Sequence, residues 1–242
     1  MTLRHNNMSD ATCSHALASN LVHQAGETAD RHPMRTETSA GRYASELLCS
    51  GLDIVFCGLN PAVSAVVDGH NFSHPNNRFW SVLHLAGSTD RRLSPQDERR
   101  LLDYGCGITA VVGRPTRRAA DVSSAEFRNA RSALDATIRR YTPTMVAFLG
   151  KRAAAAILGR PHVQWGAYEG GYAGSLAWVL PNPSGLNKTF TLHALVRAYA
   201  QPRAVLAHGS RANQALGASA QGRGLVAGNP IASLRRTHHE SV

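Results

Sequence analysis

The sequence predicts an α/β fold in which a short, mostly parallel sheet is covered by helices on both faces. Three observations carry this. Short apolar runs recur along the chain, helical periodicities stand between them, and Gly and Pro turn signals separate the two. Strands that alternate with helices pair in parallel, because a parallel connection needs a crossover. Of the 242 residues, 43% are hydrophobic, enough for a core on each side of such a sheet.

Asp53 to Leu59 is a short apolar run suited to a buried strand. Arg78 to Ala86 places Phe79, Val82, Leu83 and Ala86 at helical spacing, with Gly87 as a stop. Ser94-Pro95 opens another helix as cap and first residue, running to about Tyr104. Ile108 to Val112 reads as a strand. Ser123-Ser-Ala-Glu126 is a capping box, and behind it Phe127, Ala130, Leu134 and Ile138 form one apolar stripe. Met145 to Leu149 is a third strand, turned by Gly150 into a short Ala-rich helix that ends at Gly159. A Gly-rich stretch with Trp165, Tyr168 and Tyr172 follows. Ala177 to Leu180 is a fourth strand, and Thr189 caps a last helix through Tyr199.

Residues 1–45 are polar and aperiodic and read as a disordered arm. Residues 203–242, rich in Ala, Gly, Ser and Arg, read as a basic flexible tail, which leaves 46–202 as the folded domain. The net charge is +10, and outside Lys151 and Lys188 every basic residue besides histidine is Arg. An anionic partner is expected, nucleic acid first. The four cysteines form no CxxC pair and His5, His15, His23 and His32 lack ligand spacing, so neither a zinc ribbon nor a clustered iron–sulfur site is expected. No run reaches the roughly 18 apolar residues of a membrane helix, and no signal core opens the chain. A soluble, cytoplasmic, monomeric protein is expected. Gly105-Cys-Gly107 precedes an apolar run and Gly222-Arg-Gly224 follows no strand, so neither is a dinucleotide fingerprint.

Chemistry concentrates on turns placed where buried strands end. In open α/β sheets, ligands bind at that edge. The first turn is Gly58-Leu59-Asn60-Pro61. A neutral amide orients a water molecule but is no strong base, so Asn60 suits a reaction driven by departure of a good leaving group. Loss of uracil from deoxyribose is such a reaction. In the polar loop Gly69 to Asn77, Phe72 is a candidate platform for an extruded base. The second turn is Asn182-Pro-Ser-Gly-Leu-Asn-Lys188. Leu186 at its tip suits an apolar wedge that fills the gap left in a duplex. Gly185 permits close backbone approach, while Ser184 and Lys188 suit phosphate contacts. The competing readings are ordinary turns, with Phe72 in the core and Leu186 tucked inward.

From Asp53 to Tyr199 the chain resembles the mismatch-specific uracil/thymine-DNA glycosylases. The resemblance rests on Cys57-Gly-Leu-Asn-Pro61, His74-Pro-Asn-Asn-Arg-Phe-Trp80, Leu102-Asp-Tyr-Gly-Cys-Gly107, Leu149-Gly-Lys151, Gln164-Trp-Gly166 and Leu180-Pro-Asn-Pro-Ser-Gly-Leu186, in that order. It implies a three-layer α/β/α domain and a monofunctional glycosylase without metal or cofactor, acting on duplex DNA with G:U or G:T mismatches. It also implies that Asn60 positions the water, Phe72 stacks on the base, Leu186 is the wedge and Gly185 meets the orphan guanine. Leu59 and Ala65 join the base-binding set and Asn182 the DNA-binding set. A small Ala65 at the C5 edge of the base would admit the methyl of thymine. Ala62 departs from the family, which usually carries Gly there. A mismatch-binding module without chemistry is therefore the alternative.

Overall fold

The computed structural model describes residues 46–221, with side chains through 208. Five strands form one sheet: β1 (Ile54–Gly58), β2 (Cys106–Ala110), β3 (Met145–Leu149), β4 (Gly166–Tyr172) and β5 (Ser175–Leu180). Their order is β2-β1-β3-β5-β4, with β4 antiparallel to β5 and every other pairing parallel. The mostly parallel α/β architecture is thus present. Five α-helices accompany it: α1 (Val63–Asp68), α2 (Phe79–Leu85), α3 (Ser124–Tyr141), α4 (Lys151–Leu158) and α5 (Leu192–Gln221).

The central strands are apolar on both faces because both faces are covered. On one side Val55, Cys57, Val146 and Phe148 pack with Phe127, Leu134 and Ile138 of α3 and with Ala153, Ala154 and Ile157 of α4. On the other, Phe56 meets Phe79 of α2 edge-on at 5.5 Å and Tyr199 of α5 at 6.1 Å. Tyr199 then donates its hydroxyl to Pro181 O at 3.0 Å, just past β5. An aromatic ladder therefore runs from α2 through the middle of the sheet to the β5 exit.

Ser123 caps α3 as expected, its Oγ accepting from Glu126 N at 3.2 Å. The helix after Ser94 is a 3-10 helix, Pro95–Tyr104, and Thr191 rather than Thr189 caps α5. β2 begins two residues before the expected Ile108. Gly107 is needed there, since a Cβ would lie 2.6 Å from both Leu47 O and Leu52 Cδ1. β4, the Gly-rich stretch, is an edge strand, and α1 is a helix that the sequence does not signal.

The tail assignment needs correction. α5 continues to Gln221, since Ala, Leu, Arg and Gln are good helix formers, and Pro202 is accommodated within it. Arg203, placed in the tail, bonds Tyr104 O, lies 3.4 Å from Asp53 Oδ2 and contacts Cys106 Sγ at 3.2 Å. The chain divides into two units after Arg203, so that residue closes the first. The arm 1–45 and residues 222–242 lie outside the described residues. No helix among the described residues is long and apolar enough to cross a membrane.

Candidate functional site

Past the end of β1 the ladder continues for two more bonds: Val111 N donates to Gly58 O at 2.9 Å and Val112 N to Leu59 O at 3.0 Å. This pins the Leu59–Pro61 turn against segment 111–116. The Asn60 Nδ2 donates to Thr116 Oγ1 at 2.8 Å, Arg114 O at 3.0 Å and Pro61 O at 3.2 Å. Two of these partners are carbonyls, which only accept, so the amide has one orientation. Its NH2 faces the loop, and Oδ1, which meets no donor among the described residues, is what Asn60 offers to the cavity it lines.

Arg114 is itself held. Its Nε and Nη2 reach the two Glu126 oxygens at 2.7 and 3.1 Å, and Nη2 donates to Asp121 O at 3.0 Å. This bidentate pair is the main cause, with the Ser123 N–H second, of a Glu126 carboxyl pulled down to about 2. Thr116 Oγ1 donates to Arg118 O at 2.7 Å, so towards Asn60 it can only accept.

The loop that carries Phe72 is clamped at Asn71. Glu98 is buried, and its Oε2 accepts from Asn71 N at 2.7 Å and Asn71 Nδ2 at 3.1 Å. The Trp80 indole donates to Asn71 O at 3.3 Å. The next residue, Phe72, has φ 53°, a left-handed conformation costing about 1–3 kcal/mol in a non-glycine residue. Hydrogen bonds to a charged acceptor, each worth about 1.5–3 kcal/mol, are large enough to hold it there. Phe72 is half-buried, its ring 3.9 Å from that of Phe79 at 22°. It is thus neither a free aromatic nor a core residue, but the top layer of a stack founded in the core.

After β5 the second turn folds on its own side chains. Asn182 Oδ1 accepts from Ser184 N at 2.9 Å, Asn187 Nδ2 donates to Asn182 O at 2.9 Å, and Ser184 Oγ accepts from Leu186 N at 3.3 Å. Leu186 is 83% exposed at the tip, which removes the inward-tucked reading. Gly185 has an internal reason to be glycine: a Cβ there would lie 2.7 Å from Asn76 Cβ, and closer still to the Asn76 carbonyl oxygen.

The two turns meet. Leu59, Asn60, Ala65 and Phe72 line the same cavity of about 850 Å³ as Asn182, Ser184, Gly185, Leu186 and Lys188. The profile of the uracil DNA glycosylase superfamily matches residues 46–201. The chain belongs to that superfamily. A glycosylase-type function follows, with DNA as the partner of the family.

The superfamily assignment agrees with the three-layer fold. A solution NMR structure of a candidate uracil DNA glycosylase from Methanosarcina acetivorans is similar at 16% identity, covering 67% of this chain and 96% of its own, with a TM-score of 0.45. In this glycosylase-superfamily chain Ala62 has φ −74° and ψ 153°, so its methyl group imposes no backbone strain on the Asn60 turn. The cavity lining also holds Glu46, which accepts from Thr109 Oγ1 at 2.8 Å. Thr109 pairs with Cys57, three residues before Asn60. Among the described residues no group of three or more His, Cys, Asp or Glu is arranged to hold a metal.

Four residues were not singled out for the site from sequence: Thr116, Arg114, Glu98 and Arg78. Arg78 donates through Nε to Pro183 O, through Nη1 to Phe190 O, and through Nη2 to Ser184 O and Asn187 O, at 2.7–3.3 Å. It carries the one usable sequence signal of the four. A cation at the start of a helix opposes the helix dipole, so Arg78 must serve something other than α2.

Proposed function

We propose that this protein is a monofunctional DNA glycosylase. It extrudes uracil or thymine opposite guanine from duplex DNA and hydrolyses the N-glycosidic bond to leave an abasic site. The observation that carries this reading is the Asn60 amide, its NH2 committed to Arg114 O and Thr116 Oγ1 and its Oδ1 without a donor among the described residues, in the lining of a cavity shared with the exposed Leu186.

The extruded pyrimidine stacks on Phe72, with Leu59 and Ala65 beside it. Leu186 enters the gap, Ser184 and Lys188 contact phosphates near Asn182, and the backbone at Gly185 faces the orphan guanine. The C1′–N1 bond breaks with its electrons leaving on the base, whose carbonyls spread the charge. Water held by Asn60 Oδ1 then adds to the cationic C1′ and loses its proton to solvent. Oδ1 need only orient the water, since the leaving group supplies the driving force. Ala65, a small residue of the cavity lining, would admit the methyl of thymine. The protein acts as a monomer on duplex DNA, aided by its positive charge.

The test is strand cleavage after alkali treatment of a duplex with uracil opposite guanine. The wild type should generate abasic sites, and Asn60→Ala should lose roughly a hundredfold or more in single-turnover rate while still binding the duplex. A wild type that leaves every uracil in place, or an Asn60→Ala protein of undiminished rate, would overturn the reading.

A further inference from the structure

Arg78 and Phe79 are consecutive, yet they support two different segments of the cavity lining. The Phe79 ring lies under Phe72 at 3.9 Å, while the Arg78 guanidinium holds three carbonyls of the second turn, those of Pro183, Ser184 and Asn187, and the Phe190 carbonyl just beyond it. The Arg78 backbone N–H adds a further bond to Pro183 O at 3.1 Å. No carboxylate among the described residues forms an ion pair with this guanidinium, so its half-buried charge is solvated by the loop carbonyls. The Gly185–Asn76 approach, which any Cβ would obstruct, brings the same two segments together two residues away.

From this we infer that Arg78 is a positioning residue that couples wedge to platform: it fixes the reach of Leu186 relative to Phe72, so that both engage the duplex at a set separation. The planar fork with its several N–H donors matches the spread of carbonyls, whereas a lysine ammonium cannot span them. Arg78 touches no substrate and acts through the loop. The inference rests on the roles given above to Phe72 and Leu186.

The test uses the full chain and a duplex with uracil opposite guanine and 2-aminopurine beside the uracil, whose fluorescence rises when the neighbouring base leaves the stack. Arg78→Lys keeps the charge and loses the fork; Arg78→Gln is a second variant should the first fail to fold, with melting temperature checked for both. The fluorescence rise and the single-turnover excision rate should fall together, by about tenfold. Combined with Leu186→Ala, the substitution should add less than about twofold, because both act on one step. An unchanged fluorescence rise, or losses that multiply in the double variant, would overturn the inference. Asn60→Ala separates this from the glycosylase reading, since it should keep the fluorescence rise and lose excision. A wild type that extrudes but never excises sinks the enzyme assignment and leaves the Arg78 comparison decisive by fluorescence. A wild type that does neither sinks both.

Discussion

The Asn60 amide donates to Thr116 Oγ1 at 2.8 Å, and the Thr116 hydroxyl in turn donates to Arg118 O at 2.7 Å. The direction of that relay is fixed by chemistry, because a carbonyl at its far end can only accept. An oriented amide in the cavity lining is the result.

Thr116→Val keeps the shape of the side chain and removes the acceptor. Asn60 then keeps its two carbonyl partners but loses its shortest hydrogen bond, so the amide keeps its orientation and is held less tightly. Single-turnover excision should fall about tenfold or more, since misplacement of an orienting group is costly. Duplex affinity should stay within about twofold. Thr116→Ser should recover most of the rate. Equal rates for the Val and Ser proteins would remove Thr116 from the mechanism.

Glu98→Ala leaves the buried Asn71 N–H without the carboxylate it meets at 2.7 Å. The loss should lie at about 1–3 kcal/mol, visible in urea unfolding. Freed from its clamp, Phe72 should relax from φ 53°, raising the KM for G:U duplex more than it lowers kcat. A kcat defect with unchanged KM would contradict the role of the clamp.

Leu186→Ala truncates a side chain that is 83% exposed, so stability should change by less than about 0.5 kcal/mol. Base extrusion should weaken, and single-turnover excision with it, by about tenfold. Release of abasic product should quicken, since the plug that retains it is gone. Gel-shift lifetimes on abasic duplex test this directly, and a lifetime unaltered from wild type counts against a wedge.

The Glu126 carboxyl is held near 2 chiefly by Arg114, against an ordinary 4.5. A lowered folded value means that the contribution of the pair is complete above 4.5 and fades as pH falls towards 2. The melting-temperature gap between wild type and Glu126→Gln should therefore be constant above pH 5 and close in that acid interval. It should also be modest, because the pair is solvent-exposed. A gap that widens on acidification would show the pair to be misassigned.

Much of the fold was legible because β1, β3 and β5 are unbroken apolar runs and Ser123 with Glu126 spells its own helix start. β4 was not, since Gly166, Gly170 and Gly171 mask an edge strand with only one ladder neighbour. α1 is too short for a period to show, and its Val63 and Val67 face outward. Asn60 and Leu186 stood out because turns at strand ends are read locally. Arg78, Thr116 and Glu98 act on partners 27 to 112 residues away, mostly main-chain atoms, and no spacing rule connects a side chain to a distant carbonyl.

Phe72 rests on Phe79, Phe79 on Phe56, Phe56 on Tyr199, and Tyr199 on the carbonyl of Pro181 at the root of the second turn. The surface proposed to receive a guest ring and the interior that keeps the chain folded are thus one continuous body. Lineages exploring new lesions by reshaping Phe72 would disturb the packing below it, and gains in substrate range would be offset by lower heat tolerance. Variation at Ala65, outside that column, offers the less obstructed evolutionary route.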